Sequence, residues 1–463
     1  MKPLRKQGII IFSILALVLA ACGGDTTEET TVEETTPEVV ETLDSPAVTT
    51  ASGVESGVGV TSDPCPEAIG GIPTGADQSK GCIYLGMLND YTGPYAAAGP
   101  ALETAQRAFW LWANSAGGVG DYSVAIIEGT DTGYNPQKHL EAYNAQKGDV
   151  AALAMSLGTV QTLFILDEMD KDNMVAAPMS WYSGWSYKSV DKGLVIEFGS
   201  AYCADGMNAV DWALANLPVD IKTIGIMGGA GDYGSDWAAG VQYAAEKNGL
   251  TVAWEYVPPS TEFDVAQAVG LMLTQPVDAY FPAIVPSQMA QVDGGAAQQG
   301  VTPIAMLAAP AFNDAFVQEG FALKGLFESG AIYTMAWVAP YEFNSAAHAT
   351  MRATFASMGI DSASSFLVAG WSSQYHMKGV LEAALKGGDL TRAGIRRAAA
   401  NVYVESDGMM LTRELGQDRA DKESFINIPD GSIASGVKML ASNYVGPSAE
   451  SYDFTQGPCF ASG

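Results

Sequence analysis

Gly158 and Thr159 follow an apolar run and stand at the start of a helix-forming stretch. Glycine lets a backbone approach a ligand closely. A hydroxyl beside the free amides of a helix N-terminus suits a carboxylate, although the same pair can equally be a turn and a cap. Ser180 offers a second hydroxyl, with Met179 before it, while Trp181 and Tyr233 supply flat apolar surface with a polar edge. Phe312, in the late loop 308–313, completes the candidate binding set. Aromatic packing within a loop accounts for at least one of Trp181, Tyr182 and Trp185. These residues bind; they do not form a catalytic set. The chain has no Gly-x-Ser-x-Gly elbow, zinc motif or Walker loop. The glycine-rich stretch Gly225 to Gly234 lacks the Gly-x-Gly-x-x-Gly spacing and is read as a second ligand loop. Only His139, His348 and His376 are available as imidazole ligands, and no cofactor or metal is expected.

The N-terminus carries a different chemistry. Lys2, Arg5 and Lys6 precede the apolar run Ile9 to Leu19, broken only by Ser13, and Ala20 and Ala21 lead to Cys22. This is the order of a secretory signal, with an apolar run short for a bilayer span. Leu19-Ala20-Ala21-Cys22 is similar to the bacterial lipobox, which implies cleavage before Cys22 and a lipid on it that anchors the protein at the membrane. An ordinary signal or an uncleaved anchor are the alternatives. From Asp25 to Glu55 there are nine acidic residues and no Lys or Arg, the composition of an extended stalk. In an exported chain, the other four cysteines admit two disulfides in three pairings. The sequence-local pair Cys65–Cys82 is expected, which leaves Cys203–Cys459 to tie the C-terminal tail to the body.

The net charge is −29 over 463 residues. Without signal and stalk, 43 acids still face 20 bases, so nucleic acid is excluded as a partner. About 400 residues remain for folding, more than one core holds. The spacing predicts strands at Ile83–Leu88, Tyr122–Ile127, Val150–Met155, Met174–Ala177 and Leu194–Phe198. Gly99-Pro100 opens the first helix, whose Leu102, Ala105, Phe109 and Trp112 share a face; Asn135-Pro136 opens the second. A second series has strands at Thr223–Met227, Thr251–Tyr256, Ala279–Ala283 and Ile304–Ala308. Alternation of this kind implies an α/β fold of two doubly wound lobes with parallel sheets.

Several short motifs fall in a telling order: Thr92-Gly93-Pro94 and Gly99 after the first strand, Tyr134-Asn135-Pro136-Gln137, Ser156-Leu157-Gly158-Thr159, Ala177-Pro178-Met179-Ser180 and Asp232-Tyr233-Gly234. From about Ile83 to Leu415 the chain resembles the substrate-binding proteins of branched-chain amino-acid-type ABC transporters, periplasmic binding proteins of type I. The resemblance implies two lobes joined by three crossovers, near Ala201, Met335 and Val404. Residues 1–21 would then be the lipoprotein signal, 22–60 the lipidated stalk, 61–200 with 336–403 the first lobe, and 201–335 with 404–463 the second. The implied function is that of a monomeric extracytoplasmic receptor. It would clamp a small carboxylate-bearing solute (amino acid, amide or organic acid) and deliver it to an ABC permease. A sensor lipoprotein signalling to a membrane receptor is the rival, and a secreted hydrolase a remote one. The chain departs from the family where an acidic residue holds the ligand ammonium: that position reads Ala309 or Pro310, and Asp314 is expected to cap the next helix. Ala97 and Ala98 stand where some relatives have a large aromatic. Both departures point away from an ammonium-bearing ligand.

Overall fold

A computed structural model describes residues 48–49, 53–229, 231–258, 263–410, 413–414 and 421–461. The signal, Cys22 and most of the stalk lie outside the described residues. Four strands, β1 (Gly81–Asn89), β2 (Tyr122–Ile126), β3 (Ala152–Leu157) and β4 (Ala176–Met179), make the body of the six-stranded first sheet, to which the two-residue strands Val60–Thr61 (antiparallel) and Thr130–Asp131 (parallel) add on β1. The four are parallel and ordered β4-β3-β1-β2. Between them run α1 (Gly99–Ser115), α2 (Pro136–Gln146) and α3 (Thr159–Asp172). Local chemistry explains the starts. Proline occupies the first turn of α1 and α2, and the Asn135 side chain caps α2 by accepting from the Lys138 amide. Leu194–Phe198 is not a fifth strand. It runs beside β4 with one bridge, Ala176 to Val195.

The second lobe contains α4 (Tyr202–Asn216), β5 (Thr223–Gly228), α5 (Asp232–Asn248), β6 (Thr251–Tyr256), α6 (Val265–Thr274), β7 (Ala279–Ala283), α7 (Pro286–Gln298), β8 (Ile304–Leu307) and β9 (Ile332–Ala336). The chain then returns to the first lobe as α8 (Ala346–Ser357), α9 (Ser365–Lys386) and α10 (Arg392–Ala399), with α8 and α9 packed on α1. Phe109 of α1 meets Trp371 and Tyr375 of α9 edge-on at 5.2 and 4.9 Å, fixing the helical layer. Finally β10 (Ser424–Pro429) and β11 (Val437–Tyr444) rejoin the second sheet, ordered β6-β5-β7-β8-β9-β10-β11. Its first five strands are parallel, and β10 runs antiparallel to both its neighbours, β9 and β11, so the sheet is mixed.

Two boundaries differ from the sequence expectation. The segment ending at residue 60, expected as stalk, already contains folded chain. Glu55–Ser56 pairs in parallel with Asp389–Leu390, and Val60–Thr61 pairs with Cys82–Ile83. Partners more than 300 residues apart leave no trace in local composition. Past the expected crossing at Val404, the chain is still on the first lobe, since the Asp407 carbonyl accepts from the Ala347 amide.

Both disulfides are present, Cys65–Cys82 and Cys203–Cys459. The second anchors a C-terminal strap. The Tyr182 hydroxyl donates to the Phe460 carbonyl at 2.7 Å, the Cys459 amide donates to Ser183 Oγ at 3.0 Å, and the Tyr187 hydroxyl donates to the Phe454 carbonyl. Ser183 in turn donates to Asp236 of α5 through Oγ (2.5 Å) and its amide (3.1 Å). The Cys203 amide donates to the same carboxylate at 3.2 Å. Burial outweighs these three donors and pushes the Asp236 carboxyl up to about 7.

Candidate functional site

The strand ends β3 and β4 of the first lobe face the loops of the second across a cleft, as expected for ligand sites in open parallel sheets. The two lobes touch there: Gly231, with φ +83°, stands so close to α3 that a Cβ on it would lie 2.5 Å from Val160 Cγ2. Between them is an apolar cavity walled by Tyr95, Tyr134, Leu157, Met179, Trp181 and Tyr202, and closed by Pro310, Trp337 and Phe366. Trp181 and Trp337 stack with centroids 3.2 Å apart and planes 6° from parallel. Tyr95 packs on Tyr134 at 4.9 Å and Tyr202 on Tyr233 at 4.7 Å.

The cavity is apolar in surface and rich in donors. Gly158 is the cap residue of α3 and gives no side chain, so the first-turn amides have no side-chain partner. Its φ of +104° admits glycine and little else. Thr159 Oγ1 is buried with no partner in good hydrogen-bond geometry, and the Tyr202 phenol lies close beside it. The indole nitrogens of Trp181 and Trp337 are also buried and unpaired. Tyr233 sits 3.5 Å from the Ile284 carbonyl, at the outer limit of a hydrogen bond. Burial pushes the phenols of Tyr95, Tyr134, Tyr202 and Tyr233 well above their ordinary range, so all four remain protonated donors. Tyr134 reaches the wall from a left-handed backbone, φ +54°, rare for a bulky residue and typical of ligand-facing positions.

The structure thus brings Gly158, Thr159, Met179, Trp181 and Tyr233 together at the cleft. It does not bring Ser180, whose Oγ accepts from the Trp185 indole at 2.8 Å and serves to hold that ring. Phe312 lies outside this wall, in an adjoining cavity that also includes Trp337 and Phe366. Asp314 is no cap: the Asn313 side chain performs that role by accepting from the Ala315 amide, and Asp314 packs against Gly436. Among the described residues, none that walls the first cavity is charged. The buried carboxylate Asp90, near Tyr95 and Tyr134, is engaged by the Gly93 and Tyr95 amides. Sequence reasoning missed Tyr95, Tyr202, Trp337 and Phe366. Tyr202 and Trp337 each follow an expected crossover by a residue or two, and an aromatic at a hinge was the available signal.

Residues 82–424 match the family model described as periplasmic binding protein. The chain belongs to this family. Its fold is the type I periplasmic binding protein fold. Among solved structures it is similar to a fatty acid ABC transporter substrate-binding protein from Thermomonospora curvata, at 24% identity and TM-score 0.76. That match covers 87% of this chain and 97% of the other. It is also similar to a branched-chain amino acid ABC transporter protein from Thermus thermophilus with bound valine, at 12% identity and TM-score 0.65, covering 80% and 98%. A solute-binding protein from R. palustris in complex with 4-hydroxybenzoate matches at 14% identity and TM-score 0.65, covering 79% and 98%. These likenesses show a shared fold. No curated protein matches the chain. The periplasmic binding protein family consists of extracytoplasmic solute-binding proteins, and among the described residues no helix is long and apolar enough to cross a membrane.

Proposed function

We propose that this protein captures a carboxylic acid with an apolar body outside the cell and presents it to the permease of an ABC importer. One observation carries the reading: an apolar cavity whose wall, among the described residues, holds phenol and indole donors and no charge, with the uncapped first turn of α3 next to its Leu157 and Tyr134. Donors of this kind favour a carboxylate at a helix N-terminus. An ammonium group buried here without a carboxylate is strongly disfavoured. That the relatives' names include a fatty acid protein and a 4-hydroxybenzoate complex is consistent with this preference.

Alkanoates and hydroxybenzoates are expected to raise the unfolding midpoint, by the equivalent of about 2.7 kcal/mol at a hundredfold excess over Kd, while leucine and valine leave it unchanged. Thr159→Val is expected to weaken acid binding by about one to two orders of magnitude, since a hydrogen bond to a charged group contributes about 1.5–3 kcal/mol. Stabilisation by leucine or valine alone would sink the reading. The protein works as a monomer held at the membrane by a lipid on Cys22, motivated by the lipobox-like run before it. Cys22→Ser is expected to move the protein from the membrane to the soluble fraction, and membrane association unchanged by the substitution would refute the anchor.

A further inference from the structure

A second cavity adjoins the first. The two share Trp337, Phe366 and Ala369, so these residues form the partition between them. Beyond the partition the wall is built from Ala309, Phe312, Met335, Val338, Tyr341 and Val437, and none of its described residues is charged. Its polar groups are mostly engaged. The Thr334 hydroxyl donates to the Met335 carbonyl at 3.0 Å, and Ser435 Oγ donates to Glu342 at 2.7 Å. Asn427 Oδ1 stays buried and unpaired. Asn427 pairs with Thr334 across β9 and β10, three residues before Trp337 along the chain. At about 3.3 Å per residue that is about 10 Å of strand.

The donors therefore gather in the first cavity and the apolar surface continues into the second. We infer that the second cavity is a tail chamber: the ligand is a linear acid whose carboxylate lies near Thr159 and whose alkyl chain passes Trp337 into the space bounded by Met335, Val338 and Val437. This rests on the proposed function and adds to it a chain-length preference set by the chamber and a gating position for Trp337. Each methylene buried there tightens binding about fourfold, until the chamber is full.

The test is titration of the purified mature protein with butanoate, hexanoate, octanoate and dodecanoate, read by tryptophan fluorescence and calorimetry. Affinity is expected to rise by about two orders of magnitude from butanoate to octanoate. Ala336→Leu, which narrows the chamber from a half-buried position on β9, is expected to weaken octanoate at least tenfold and leave butanoate unchanged. Ala309→Leu, in the loop after β8, serves the same purpose should the first variant fold poorly. Trp337→Ala is expected to weaken the length preference, because the partition is gone. Acids that bind with no dependence on length, or variants that weaken butanoate and octanoate equally, overturn the chamber and leave the acid reading standing. Failure of every acid, with binding of a solute of another class, overturns both.

Discussion

Cys459→Ser is expected to lower the free energy of unfolding by about 2–4 kcal/mol. The Cys203–Cys459 bond closes a loop with a sequence separation of 256. Chain entropy alone assigns such a loop about 5 kcal/mol, and measured losses usually fall below that figure. The strap contributes more than a covalent link. Released from Cys203, the tail puts at risk the bonds from Tyr182 to Phe460, from Tyr187 to Phe454 and from the Cys459 amide to Ser183. Each contributes about 1 kcal/mol. These contacts reach loop 181–187 of the first lobe, while Cys203 belongs to α4 of the second, so the strap spans both. Urea unfolding of Cys459→Ser beside wild type, both oxidised, measures the effect. An unchanged midpoint would show that the tail is incidental to the fold. Cys65–Cys82, with a separation of 17, provides the comparison, and its removal is expected to have the smaller effect.

Gly158→Ala is expected to destabilise the protein by about 2–4 kcal/mol and to abolish ligand-induced stabilisation. Two causes act together. The backbone there, at φ +104° and ψ 143°, lies in a region that L side chains rarely enter. A Cβ would also stand 2.7 Å from Tyr134 Cε2, and closer still to Gln161 Oε1. Gln161 cannot swing aside freely, because its Nε2 donates to the Tyr134 carbonyl at 2.8 Å. Displacing Tyr134 disturbs the cavity wall and its contact with Tyr95. The measurement pairs a denaturation curve with an acid titration. A variant of wild-type stability that keeps the ligand-induced shift would remove Gly158 from the site.

Much of the scaffold was legible because its causes are local. Asn135-Pro136 announces α2 through cap and first-turn chemistry, and Gly158-Thr159 announces a turn into α3. The apolar runs of β1, β3 and β7 are continuous because helices cover both faces of a parallel sheet. Where the cause was not local, reading failed. β11 alternates half-buried and exposed residues at the sheet edge, a weaker signal than a continuous apolar run, and β10, antiparallel to both β9 and β11, makes the second sheet mixed. Ser180 has the right chemistry for a ligand donor, yet the Trp185 indole five residues away claims its oxygen.

By itself, then, the sequence determined the alternation of strands and helices, the two lobes and the position of α3's open N-terminus, since periodicity and capping are written into neighbouring residues; it left three disulfide pairings open, and the structure decided between them. The tertiary structure decided what the cleft is made of. Tyr95, Tyr202, Trp337 and Phe366 lie on four separate segments and meet only where crossovers and strand ends converge. Which hydroxyls are left without partners, and that a second apolar cavity opens behind Trp337, depend on packing between segments far apart in the chain.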